Sequence, residues 1–274
     1  MDACVPGGVY LCQVNDKVSC GACCGLYNVA DIARASLDDR LRRRSLAFAR
    51  VPRTAEAIER FAMRQQRAER QRRPFDDFHH CPFVGLIGQG LTRIGCLLHP
   101  LGSGNRGVDY RGMSYYGGLA CRSYFCPTVY QLAPRYKRMV RVLASDWFSY
   151  GLIVTEHRLL AALFEQVELG LGNEVSEKKI AQDARAAATL GDLLALKLSW
   201  PYRPAGPETL CHYFFKDNLY PRPAIEYARL GCRPSPLDTI LTELGSAFDH
   251  AEQLRSAEQL VAGKIQAAVQ TLSG

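Results

Sequence analysis

Long apolar runs are missing from this chain of 274 residues. No stretch approaches the ~18 uncharged apolar residues that cross a bilayer as a helix, so no membrane partner is expected. The opening Met1-Asp2-Ala3-Cys4-Val5-Pro6 lacks the basic region and apolar stretch of a secretory signal, which makes the cytoplasm the expected location. Catalytic signatures are scarce as well: G-x-S-x-G and H-E-x-x-H are both absent. Gly85-Leu86-Ile87-Gly88-Gln89-Gly90 lacks the third glycine of a dinucleotide loop, and Cys96 follows too soon for the helix such a loop opens. Lysine is absent between Asp31 and Arg73. Thirteen arginines against six acids in that segment leave an excess equal to the formal net charge of the whole chain, +7.

Cysteine, by contrast, is abundant. With 47% apolar and 22% charged residues the composition is that of an ordinary globular protein, which excludes a disordered tail or a collagen-like fibre. Eleven cysteines exceed what packing requires, and nine of them lie between Cys4 and Cys126. In a reducing compartment such thiols do not form a disulfide framework, and metal binding becomes the leading explanation.

The spacing of apolar residues predicts a mainly α protein with an irregular, metal-stabilised cysteine-rich region containing short β hairpins. Two domains are expected, a cysteine-rich one over 1–128 and a helical one over 129–274. A small hairpin is predicted to lead through Asn15-Asp16 into Cys20-Gly21-Ala22-Cys23-Cys24-Gly25. Ile32, Leu37, Leu41 and Phe48 suggest an amphipathic helix from Asp31 to about Phe48. Past Pro52, Thr54 opens a second one toward Arg72. Residues 75–128 show little helical periodicity and few apolar runs, so metal–thiolate bonds are expected to replace a core there. Beyond Pro127, helices are predicted over Tyr136–Tyr150, Thr155–Leu169 and Ser176–Trp200. A long last helix is expected to open at Ser235-Pro236-Leu237-Asp238 and continue to Leu272.

Close pairs of cysteines supply two soft ligands from one turn, the requirement of a thiolate metal site. Cys20-x2-Cys23 with adjacent Cys24 is one such group and Cys121-Arg122-Ser123-Tyr124-Phe125-Cys126 another; Cys81 and Cys96 lie between. In Cys20-Gly21-Ala22-Cys23-Cys24, Cys81-Pro82-Phe83-Val84, Gly95-Cys96 and Cys121-Arg122-Ser123-Tyr124-Phe125-Cys126 the chain resembles the YkgJ-type cysteine-cluster family, over about residues 18–128. The likeness implies chelation of zinc or iron by Cys20, Cys23, Cys24, Cys81, Cys96, Cys121 and Cys126. Between Cys96 and Cys121 the chain departs from the family pattern, with His99-Pro100 and a Gly-rich insertion in place of an aromatic and Arg-Pro. A more distant likeness to the flagellin lysine-methylase branch implies an iron–sulfur cluster, and with it redox or methyl-transfer chemistry.

The simplest ligand set is Cys20 with Cys23 or Cys24, plus Cys121 and Cys126, leaving Cys81 and Cys96 to complete or flank a second position. Seven thiolates on one divalent ion leave a large negative charge, which favours a cluster or two metals. His79, His80, His99, Cys12 and Cys4 are further candidates, each set against a merely solvated or buried side chain. Cys211-His212 reads as a core cysteine. Three functions stay open: a metal-binding protein; a metal-dependent enzyme acting on a protein or small molecule; and a zinc-stabilised adaptor whose arginine helices, from Arg34 to Arg73, bind nucleic acid or an acidic partner. Two solvated helix faces are the alternative for those arginines.

Overall fold

The computed structural model describes residues 7–69, 73–76, 78–210 and 222–274, so the expectations placed on Cys4, on the helix end at Arg72 and on Cys211-His212 lie outside the described residues. The chain is mainly helical with one two-stranded antiparallel sheet among those residues. None of their helices is long and apolar enough to cross a membrane. Two compact units appear, one of residues 12–126 with 146–151 and the other of residues 7–11, 127–145 and 152–274.

The first unit holds α1 (Arg34–Ala49), α2 (Ala55–Ala68), β1 (Val84–Ile87), β2 (Arg93–Cys96) and α3 (Gly117–Ser123). Leu37, Leu41, Arg44 and Phe48 fall on one face of α1 and are buried, and that helix packs on β1. Thr54 caps α2, its hydroxyl accepting from Ala57 N at 3.3 Å. The strands pair in the register Val84↔Cys96 to Ile87↔Arg93, and the turn between them uses Gly88 and Gly90 at φ 83° and 75°. The predicted N-terminal hairpin shrinks to a single bridge, Gln13↔Ser19, because Asn15 Oδ1 takes the amides of Lys17 and Val18 at 2.8 and 2.9 Å and ends any strand there.

A core is present where the sequence predicts little. Phe48, Phe61 and Phe83 meet with ring centroids 5.1 to 6.1 Å apart, joined by Ile58, Leu97 and Leu98. The short sheet explains it. Phe83 and Leu97 flank paired strands, linked by Leu97 N donating to Phe83 O at 2.9 Å, so apolar residues that form no run in sequence share one face. Residues 146–151 belong here because Tyr27 Oη donates to Phe148 O at 2.8 Å and packs where any Cβ on Gly151 would stand 2.2 Å away.

The second unit contains α4 (Pro127–Gln131), α5 (Pro134–Val142), the end of α6 (Trp147–Val154), α7 (His157–Leu171), α8 (Glu177–Gln182), α9 (Ala184–Leu194), α10 (Leu196–Ser199), α11 (Pro207–Leu210), α12 (Asp238–Glu243) and α13 (Ala251–Ser273). Residues 7–11 join it through Lys137 Nζ, which donates to Gly7 O at 2.5 Å and Val129 O at 2.8 Å. The stretch predicted as one helix over 176–200 breaks at Asp183, whose carboxylate caps α9 by accepting from the amides of Arg185 and Ala186. The long last helix is likewise interrupted: Gly245 at φ 74° ends α12, and α13 resumes at Ala251. Through Leu254, Ala257, Val261 and Leu272, α13 supplies the stripe that packs on α7 and α9.

Inside this unit lies a buried charge network. Lys197 Nζ stands 2.8 Å from Glu156 Oε1, the Arg222 guanidinium bridges Glu156 and Glu243, and Arg158 reaches Glu243 at 3.1 Å. Lys197, Glu156, Arg222 and Glu243 are all at most 2% exposed, whereas Arg158 is 51% exposed. Removing one member of a buried pair strands the other charge, at a cost of about 3–5 kcal/mol. Lys197→Met should therefore lower the unfolding free energy of the chain in urea by that order, and Arg158→Ala by less than about 1 kcal/mol. Equal effects of the two substitutions would contradict this account of the network.

Candidate metal centre

The knuckle is a single 3-10 turn over Ala22–Cys24, with Cys24 N donating to Gly21 O at 3.0 Å and Gly25 N to Ala22 O at 2.8 Å. Both of its glycines are required. Gly25 has φ 71°, and a Cβ there would lie 1.9 Å from His79 O; a Cβ on Gly21 would lie 2.5 Å from the Ile94 side chain. The knuckle therefore sits tight against the chain before Cys81 on one side and against β2 on the other.

Backbone hydrogen bonds connect Cys12, Cys81 and, through the sheet, Cys96 to it. Cys20 N donates to Cys12 O at 2.9 Å, which sets Cys12 beside the knuckle, and Cys81 N donates to Cys24 O at 2.9 Å. Val84 N in turn donates to Cys81 O at 3.3 Å, and Val84 pairs with Cys96 across the sheet. Cys81, Cys24 and Cys96 consequently pack on one apolar cluster. Cys121, on α3, points its Sγ at Ser114 Oγ, 2.9 Å away.

The thiols fall into two electrostatic neighbourhoods. Burial pushes Cys12 and Cys20 up, and Cys23 and Cys126 add to the rise at both. Burial likewise takes Cys81 to about 11 and Cys96 to about 12; Cys121 adds to both, and Cys81 acts on Cys96. Cys24 joins this second set: its thiol donates to Cys23, which holds Cys23 down and itself up, while burial, Cys81 and Cys96 raise it further. Cys126 thus acts on Cys12 and Cys20, and Cys121 on Cys81 and Cys96, while the hydrogen bond between Cys23 and Cys24 links the two neighbourhoods. Among the described residues, no group of three or more Cys, His, Asp or Glu side chains is disposed to hold a metal ion.

The histidines are engaged otherwise. His80 Nδ1 lies 2.6 Å from Gly25 O, and Nε2 lies 2.6 Å from an Arg44 guanidinium nitrogen and 3.6 Å from Glu69 Oε2. His99 Nδ1 accepts from Leu101 N at 3.1 Å. His79 stacks on Tyr115 at 5.3 Å, and burial, followed by His80 and Arg73, lowers it to about 4.

Sequence reasoning missed Arg44. It is 1% exposed, donates to Cys81 O at 3.1 Å and Val84 O at 3.2 Å, and forms a two-pronged ion pair with Glu69. Its spacing from Leu37, Leu41 and Phe48 on α1 was the available signal. Arg42 and Arg43, its neighbours, pair with Asp38 and Asp39 one turn back. Compared with protein-family models, curated proteins and solved structures, the chain matches none of them.

Burial opposes the charge on Glu69, yet His80 and Arg44 outweigh it and bring the carboxyl from 4.5 down to about 2. A carboxyl lowered by folding stabilises the native state above its unfolded value, and that contribution is lost as pH falls from about 4.5 to about 2. Glu69→Gln should therefore be less stable than the parent at pH 7, by on the order of 1–2 kcal/mol after solvent screening. The gap should close by about pH 2. Urea unfolding of both proteins across this range checks it; a gap independent of pH would exclude the ion pair as its source.

Proposed function

We propose that this protein binds zinc or iron, the iron singly or as an iron–sulfur cluster, through the cysteines gathered around the Cys20–Cys24 knuckle. The observation that supports the reading best is the pair of backbone hydrogen bonds, Cys20 N to Cys12 O and Cys81 N to Cys24 O, that bring separate cysteine-bearing segments onto one turn. Nothing in apolar packing calls for eight cysteines in one unit. The donor set fits a thiophilic cation in kind and number, with two groups of four sulfurs. Binding would have to draw the side chains together. It would also release protons that burial and neighbouring thiols now hold on the sulfurs, replacing repulsion between them by attraction to the metal. The four motifs shared with the YkgJ-type family support the same reading, and metal ions are its proposed partners; a cytoplasmic location accords with free thiols.

No specific observation favours the adaptor. Of three consecutive arginines on α1, Arg44 is buried and Arg42 and Arg43 are already paired within the helix, whereas Arg50, Arg60, Arg64 and Arg67 are exposed.

Metal analysis of protein purified without oxygen tests the reading. Two zinc ions per chain, or iron with visible thiolate-to-iron absorption, are the expected results for two groups of four. Cys23→Ser and Cys126→Ser should each empty one group and Cys81→Ser and Cys121→Ser the other, roughly halving the content of a two-zinc protein, while Cys232→Ser leaves it full. Undiminished metal in both Cys121→Ser and Cys126→Ser, or none in the parent, would sink the proposal.

A further inference from the structure

Beside the knuckle, a cavity of about 540 Å3 opens within the first unit, lined by Arg40, Arg44, Glu69, Arg73, His79 and Tyr115 among others. Its size lies in the range of small-molecule sites. Its charge is unbalanced in a particular way. Arg44 and Glu69 neutralise each other at its base. Arg40, half-buried, has no hydrogen bond or ion pair among the described residues, and Arg73 donates only to the backbone carbonyl of Asp76 at 3.2 Å. Against these guanidiniums the described lining sets Glu69, already paired with Arg44, and the exposed carboxylate of Asp76.

A second observation is independent of that charge. His79 is 5% exposed and lines the cavity, and its Nδ1 is buried without a hydrogen-bond partner among the described residues. Buried polar atoms are almost always satisfied, and an orphan on a residue that lines a cavity is a vacant half of a contact. The ring cannot turn away to find water, since it is stacked on Tyr115 at 5.3 Å with 12° between planes and set edge-on to Tyr116 at 4.3 Å.

We propose that this cavity binds a small molecule through a phosphate group, with Arg40 and Arg73 as the charged clamp and His79 Nδ1 as a hydrogen-bonding partner. Guanidiniums present paired N–H donors that match the oxygens of phosphate, which makes arginine the residue suited to such a site. The size of the cavity leaves room for an organic portion beyond the phosphate, and Tyr115, 66% exposed, supplies an aromatic wall for it. This site does not rest on the metal reading, because none of its named residues is a cysteine.

Inorganic phosphate is the probe, added to the full chain and followed by thermal unfolding and calorimetry at constant ionic strength. It should raise the melting temperature above that in chloride, and Arg40→Gln and Arg73→Gln should each weaken binding by about tenfold, the usual scale for one charge-assisted contact. His79→Phe keeps the stacking and should weaken binding by a smaller factor. Arg42→Gln and Arg43→Gln, which carry the same loss of charge outside the cavity, should leave affinity unchanged. No protection beyond chloride, parental affinity in Arg40→Gln and Arg73→Gln, equal weakening in Arg42→Gln, or tighter binding of citrate than of phosphate would each overturn the proposal. Metal content measured on the same samples separates this outcome from failure of the metal centre.

Discussion

The guanidinium of Arg44 is the point on which the cysteine-rich unit turns. A nearly inaccessible cation costs several kcal/mol to desolvate unless its donors are occupied. Here they are spread over Glu69 beyond α2, the ring of His80, and the carbonyls of Cys81 and Val84. Those partners come from two segments, Glu69 and the stretch His80–Val84, both remote from α1. One side chain thereby fixes how α1, the end of α2 and the Cys81–Val84 strand entry meet, and the knuckle follows: His80 passes the constraint on through Gly25 O, and Cys81 N through Cys24 O.

The helical unit contains its own buried charges, arranged by another logic. Lys197, Glu156, Arg222 and Glu243 compensate one another almost wholly through side chains, and burial lowers Lys197 to about 8 while raising Glu243. Arg44 instead relies on carbonyl groups as well as on one carboxylate. Carbonyls cannot be titrated away, so the position of Cys81 is tied to a contact that persists when Glu69 is protonated. Each unit thus has a charged anchor, but only that of the cysteine-rich unit is wired directly into the residues proposed to bind metal.

The helical character of the chain and the opening of α2 at Thr54 were legible, because periodicity and capping residues are local properties. What escaped the sequence was non-local. Phe48, Phe61 and Phe83 form a core although no segment between 75 and 128 looks apolar, since a four-residue hairpin collects its members. Breaks at Asp183 and Gly245 interrupt predicted helices because a carboxylate cap and a positive-φ glycine outweigh a continuing apolar stripe. Arg44 looked like one more member of a basic face, and its burial depends on acceptors 25 to 40 residues away. Cys12 belonged to no motif, and only the bridge at Gln13↔Ser19 brings it to Cys20.

On the metal reading, the two groups of thiols are not equivalent in their charge. Four thiolates around a divalent ion leave an excess of about two negative charges, which must be met from the surroundings. Around Cys81, Cys96 and Cys121 that compensation is built in: Arg44 acts on Cys81, and Arg111, held by Asp109 at 2.8 Å, acts on Cys96 and feels Cys121. For Cys12 and Cys20 the principal neighbours are other thiols. Burial raises Cys81 and Cys96 as it does Cys12 and Cys20, but the first environment has guanidiniums at hand to offset thiolate charge, whereas the second must obtain its compensation from the metal itself. The arginine that organises the fold thus also prepares one half of the proposed site, so that the structural and chemical roles of Arg44 share a single set of contacts.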